Sequence, residues 1–122
     1  MEQPKLGDLI EISHKDFQHW AVYVGNGKVV HLTTSDGICN SPGTRRGEVK
    51  KESLTEVVGD CQFKVCNLQD AWATPYQPEQ IAKRAWACVG KTMTYSCDKY
   101  TCEHFAIQMR YGKMLLRDCR LI

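Results

Sequence analysis

The chain has 122 residues, 43% hydrophobic and 25% charged, with 16 basic and 14 acidic side chains for a net charge of +2. That length supports one domain over residues 1–122 with one core, and the composition excludes wholesale disorder. The charge balance excludes the basic excess that phosphate backbones demand, so nucleic acid is not an expected partner.

In chain order, Gly7-Asp8 is a turn signal before a short strand, Leu9-Ile10-Glu11-Ile12. His19 to Val24 is rich in β-branched and aromatic residues and ends at Gly25-Asn26-Gly27, after which Lys28 to Thr33 resumes as a strand. Two such runs around Gly-Asn-Gly predict a β-hairpin. Residues 34–47 read as a surface loop, with Asp36-Gly37 and Ser41-Pro42-Gly43 inside it. Glu48 to Glu52 reads as an exposed edge strand, Leu54 to Val58 as one helical turn, and Gln62 to Val65 alternates as a strand should. Pro78 suits a first helical turn, so Glu79 to Val89 reads as a helix ended by Gly90, with Ile81, Ala85, Trp86 and Val89 on its inner face. After an irregular segment, 91–100, a last helix runs from Thr101 to Tyr111 and stops at Gly112, burying Phe105 and Met109 with Ile107 on the flank. Strands first and helices last predict an α+β fold, with helices packed on an antiparallel sheet.

Seven cysteines invite a disulfide or zinc reading. Met1-Glu2-Gln3-Pro4-Lys5 shows no leader with a basic start and an apolar core, so the expected setting is cytoplasmic and the thiols reduced. No Cys-x-x-Cys pair occurs, and Cys61/Cys66 and Cys97/Cys102 lack a matching pair of histidines, so neither metal nor cofactor is expected. No apolar run approaches the ~20 residues of a membrane-spanning helix. Arg45-Arg46 and Lys50-Lys51 are candidates for contact with an anionic membrane surface, against the plainer reading of a solvated loop.

Cys102 is the candidate nucleophile. It opens the final helix behind Thr101, a suitable N-cap. A thiol there meets unpaired backbone N–H groups and the positive end of the helix dipole, and both favour the reactive thiolate. The plainer reading is a small buried hydrophobe. A cysteine nucleophile needs an imidazole to take its proton and a third group to hold that imidazole. His19 and His31 answer this if the hairpin closes through the three residues Gly25-Asn26-Gly27. His31 then opposes Ala21, and His19 lies on the same face one pair along, a diagonal separation of about 5–8 Å. A two-residue loop would send the two rings to opposite faces. His14 reads as a surface residue, and His104 as structural and bonded to a nearby carbonyl, since it projects about 200° from Cys102 around the helix.

His19-Trp20-Ala21-Val22-Tyr23-Val24-Gly25 with Val29-Val30-His31-Leu32 resembles the H-box of the phospholipase A/acyltransferase (HRAS-like suppressor) proteins, relatives of lecithin–retinol acyltransferase. Cys102-Glu103-His104-Phe105 followed by Arg110-Tyr111-Gly112 resembles their NC box, and Pro4 to Glu11 and Val49 to Glu52 are also similar. The resemblance implies a circularly permuted papain-like (NlpC/P60) fold. It also implies a thiol enzyme acting on phospholipid esters through an acyl thioester, without metal, as a phospholipase A1/A2 and an O- or N-acyltransferase. By that pattern Cys102 is the nucleophile, His19 the base and His31 the third member. The implied partners are phospholipids at a membrane surface, met by a monomer associated peripherally with the membrane.

Two departures stand out. Thr101 replaces the usual Asn, and the chain ends at Arg120-Leu121-Ile122 without the hydrophobic anchor of mammalian members. Certain picornaviral proteins carry the same boxes, which keeps a second reading open: a non-catalytic module that binds host or cellular proteins or membranes. A third reading is a thiol peptidase.

Overall fold

The computed structural model describes residues 3–15, 17–34, 44–96 and 100–112. Six strands, β1 (Leu9–Ser13), β2 (Gln18–Gly25), β3 (Lys28–Thr34), β4 (Thr44–Ser53), β5 (Gln62–Val65) and β6 (Thr92–Ser96), make one open sheet in the order β5-β1-β2-β3-β4-β6. Every pairing is antiparallel. The helices are α1 (Leu54–Val58), α2 (Pro78–Cys88) and α3 (Cys102–Tyr111), and a 3₁₀ turn covers Leu68–Ala71. The class is α+β, as the order of elements predicts.

The β2/β3 hairpin sets the frame. Gly25, Asn26 and Gly27 all have positive φ (93°, 55° and 73°), a run that only glycine and asparagine enter readily. The register pairs Val22 with Val30 and Tyr23 with Val29, then shifts before Gly25 meets Lys28. Carried one pair further toward the strand ends, it sets Ala21 opposite His31 and leaves His19 diagonal to it. Contrary to the expected three-residue loop, the turn closes on the Gly25–Lys28 pair through Asn26-Gly27, and the irregularity between Tyr23 and Gly25 restores the register that keeps both rings on one face.

Strand alternation gives the sheet two unlike faces. Leu9, Trp20, Val22, Val24, Val30, Leu32, Val49 and Tyr95 point to one side and bury Ile81, Ala82 and Ala85 of α2 and Phe105, Ala106, Ile107 and Met109 of α3. Ile10, Ile12, Ala21 and Val29 point to the other, where Leu54 and Val58 of α1 cover them. His19 and His31 alternate with Trp20 and Val30, so they stand on the α1 side.

Four sequence expectations are corrected here. Glu48 to Glu52 is the second half of a longer strand: β4 runs from Thr44, and β6 pairs only with Thr44–Glu48, so past Glu48 β3 is the one strand paired with it among the described residues. Only every second residue of β4 faces the helices. Gly47 and Val49 are buried there, and a Cβ on Gly47 would stand 2.9 Å from Leu32 Cδ1. The expected loop 34–47 is strand at both ends, with residues 35–43 outside the described residues. The irregular segment 91–100 contains β6, which pairs Thr92–Ser96 with Thr44–Glu48. Trp86 and Val89 are exposed rather than buried; the inner face of α2 is Ile81, Ala82 and Ala85, and Lys51 Nζ lies 3.9 Å over the Trp86 ring.

The far end of α3 is tied to the start of the chain. Buried Arg110 donates from Nε and Nη2 to the two Asp70 oxygens at 3.2 and 2.7 Å, and from Nη1 to the Gly7 carbonyl at 2.8 Å. Tyr111 also donates to Asp70, at 2.5 Å. Burial pushes the Asp70 carboxyl up, but the hydrogen bonds from Arg110 and Tyr111 outweigh it and hold the group below its ordinary value.

Candidate active site

His19 is the second residue of β2 and His31 the fourth of β3, both buried at 4% exposure. His19 Nε2 lies 2.7 Å from His31 Nδ1, with the rings nearly perpendicular at 80°. His31 Nε2 lies 2.7 Å from Glu52 Oε2, in the ninth residue of β4. Three neighbouring strands therefore place a carboxylate and two imidazoles in one hydrogen-bonded row. The row opens into a cleft of about 190 Å³ lined by His14, Phe17, His19, His31, Glu52 and Val57 among others.

Cys102 starts α3 and is 2% exposed, inside the cluster that also holds Trp20, the neighbour of His19. Its backbone N–H donates to the Tyr95 hydroxyl at 3.4 Å. The registers put the start of β2, the end of β3, the start of β4 and the end of β6 at one end of the sheet. Tyr95 in β6 brings the start of α3 to that same end, so the helix start and His19 share it.

Thr101 caps α3 as expected. Its hydroxyl accepts from His104 N–H at 3.4 Å, while its own N–H donates to His104 Nδ1 at 3.0 Å. This is a capping box with histidine in the place usually held by Glu or Gln. The ring of His104 thus accepts from the cap at Nδ1, and an acceptor nitrogen there suffices to close the turn.

A profile for the lecithin retinol acyltransferase family matches residues 2–115. The chain belongs to that family. It is 42% identical over 117 residues to human phospholipase A and acyltransferase 2, covering 90% of this chain and 72% of the relative. It is 40% identical over 122 residues to human phospholipase A and acyltransferase 4 (92% and 73% covered), and 34% identical over 116 residues to rat phospholipase A and acyltransferase 1 (90% and 70%).

Within this lecithin retinol acyltransferase domain, sequence reasoning missed two residues at the cleft. Glu52 was assigned to an edge strand. Counting alternate residues from Val49 would have put it on the face of the histidines, given the pairing of β4 with β3. His14, read as a surface residue, is half-buried: it stacks on Phe17 with ring centres 4.7 Å apart, and its Nδ1 lies 3.2 Å from Cys61 Sγ. No signal in the sequence joins His14 to a cysteine 47 positions away. Among the described residues no group of three His, Cys, Asp or Glu side chains is arranged to hold a metal ion, and no helix is long and apolar enough to cross a membrane.

Proposed function

We propose that this chain is a thiol enzyme of phospholipid acyl transfer, with Cys102 as nucleophile, His19 as its base and His31 orienting that base. The observation that carries the reading is the 2.7 Å bond between His19 and His31, in a chain whose relatives are named phospholipase A and acyltransferase. A held imidazole at the end of the sheet where a cysteine-headed helix begins is the arrangement that acyl transfer by a thiol needs. In this reading the sheet and helix have the circularly permuted papain-like (NlpC/P60) topology. The chain acts as one domain, a cytoplasmic monomer that meets its substrate at a membrane surface.

The chemistry runs in two halves. His19 Nδ1 takes the Cys102 thiol proton as sulfur attacks the ester carbonyl of the phospholipid. The tetrahedral oxyanion collapses, the C–O bond to the glycerol oxygen breaks, and that oxygen leaves with the proton from His19. The acyl chain is then a thioester on Cys102. Water, or the hydroxyl or amine of an acceptor lipid, loses a proton to His19 and attacks the thioester. Sulfur departs and the acyl group leaves as a fatty acid, an ester or an amide. Each half conserves protons and changes no oxidation state, so the steps call for no redox cofactor.

Intact-protein and peptide mass spectrometry after incubation with phosphatidylcholine vesicles tests the reading. The expected product is a gain of one acyl chain on Cys102, absent in Cys102→Ser. Acylation at another cysteine, or vesicle binding without acylation or turnover, would replace it with the alternative of a non-catalytic binding module.

A further inference from the structure

We propose that Glu52 is a positioning residue of this site, fixing the tautomers of both histidines so that His19 presents a lone pair at Nδ1. The inference rests on the reading of His19 as the base and adds a fourth member to the row.

A neutral imidazole has one donor nitrogen and one acceptor. The His19–His31 bond alone allows two arrangements. In one, His19 Nε2–H donates to His31 Nδ1, leaving a lone pair on His19 Nδ1. In the other, His31 Nδ1–H donates to His19 Nε2, and the His19 proton sits on Nδ1, where a base must have none. Both satisfy the 2.7 Å contact equally well. Glu52 breaks the tie. An ionised carboxylate only accepts, so Oε2 at 2.7 Å requires the proton of His31 on Nε2. His31 Nδ1 must then accept, His19 Nε2 must donate, and His19 Nδ1 carries the lone pair. One carboxylate thus sets a nitrogen three hydrogen-bonding atoms away.

The placement suits the task. The side chain of His31 is 5% exposed and that of Glu52 is 41% exposed, so the carboxylate keeps much of its hydration while the ring it holds is buried. In the register β4 sets Val29 opposite Glu52 and His31 opposite Lys50. Glu52 is therefore a diagonal neighbour of His31 across one strand pair, as His19 is across the other. The rigid sheet, not a loop, holds all three.

The test compares Glu52→Leu, which removes the acceptor, with Glu52→Gln, whose amide oxygen can still accept. Long-range ¹H–¹⁵N spectra of ¹⁵N-histidine-labelled protein at mildly alkaline pH read each tautomer. The unmodified chain is expected to show His19 and His31 both protonated on Nε2. Glu52→Leu is expected to show mixtures at both rings and a kcat lower by about 10–100-fold with KM little changed, because a misplaced proton disables the base without touching substrate. Glu52→Gln should recover part of both. Folded Glu52→Leu protein with unmixed tautomers overturns the proposal, whatever its activity. Full activity in His19→Ala would instead overturn the assignment of His19 as base, and the spectra would still read the tautomer coupling on their own.

Discussion

The two faces of one sheet have been put to opposite uses. The face under α2 and α3 has an apolar centre: Leu9, Trp20, Val22, Val30, Leu32 and Val49 meet Ile81, Phe105 and Ala106. The face under the five-residue α1 is apolar only toward β1 and the hairpin turn, where Ile10, Ile12, Ala21 and Val29 are covered. Its remaining positions hold His19, His31 and Glu52, on a diagonal from the start of β2 to the end of β4, and line a cleft. A short helix covers less of a sheet than two long ones, and the uncovered part is where polar groups can be held by hydrogen bonds without the penalty of burial unpaired. Stability and chemistry are thereby separated by the pleat of the strand, with Cys102 reaching the shared end from the stabilising side.

If that separation holds, substitutions on the two faces should move different observables. His19→Ala should lower phospholipid turnover by about 10²–10⁴-fold with little change in Tm. His31→Ala should lower it less, and His31→Gln should recover part of the loss. A loss of Tm as large as that of a core variant would show that the row is a structural element. The converse is Leu32→Ala, fully buried on the other face, expected to cost about 2–5 kcal/mol in urea unfolding while turnover per folded molecule persists. Cys102 lies in the cluster of the stabilising face although the proposed function gives it a chemical role, which sharpens the contrast. It should be alkylated by iodoacetamide well before Cys66, whose thiol is pushed up by burial and by Glu11. Peptide mapping of partly labelled folded protein reads the order, and labelling of Cys66 first would remove the case for an activated thiolate.

Smaller effects belong to the ties that hold α3 in place. Asp70→Asn removes the charge beside buried Arg110 and should cost about 1–3 kcal/mol, discounted from a buried pair because the Asp70 side chain is 40% exposed. The Asp70 carboxyl sits below its ordinary value in the folded chain. Its contribution is therefore present above the normal carboxylate range and is lost as pH falls through the lowered value. Acid unfolding of the unmodified chain should steepen there, and that of Asp70→Asn should not. Smallest is His104→Ala, which opens the capping box for about 1 kcal/mol and should spare turnover.

What could be read in the sequence was what local chemistry settles. Gly25-Asn26-Gly27 marked the hairpin and Thr101 the helix start beside Cys102, although the irregularity that keeps both histidines on one face lies between Tyr23 and Gly25. What could not be read depends on partners far along the chain. Lys50 and Lys51 sit where β4 pairs with β3 alone, but the extension of that strand back to Thr44 and its pairing there with β6 leave no mark in the local sequence. Glu52 gains its meaning only when Val49 is known to pair with Leu32. Trp86 fits a helical stripe by spacing, yet Lys51 from the sheet beneath supplies it with a partner at the surface.

The bond from Arg110 to the Gly7 carbonyl spans 103 residues, which bears on the order in which the molecule assembles. Contacts between distant parts of a chain form slowly, because a long loop must close before they are gained. On a ribosome the turn at Gly7 emerges long before Arg110 does. The β2/β3 hairpin can form as soon as its own residues are out, whereas the turn at Gly7 waits for α3. The helix that carries Cys102 is therefore both the latest of the described elements to be made and the one that fastens that turn, so the Cys102 thiol is set in place only as the fold closes.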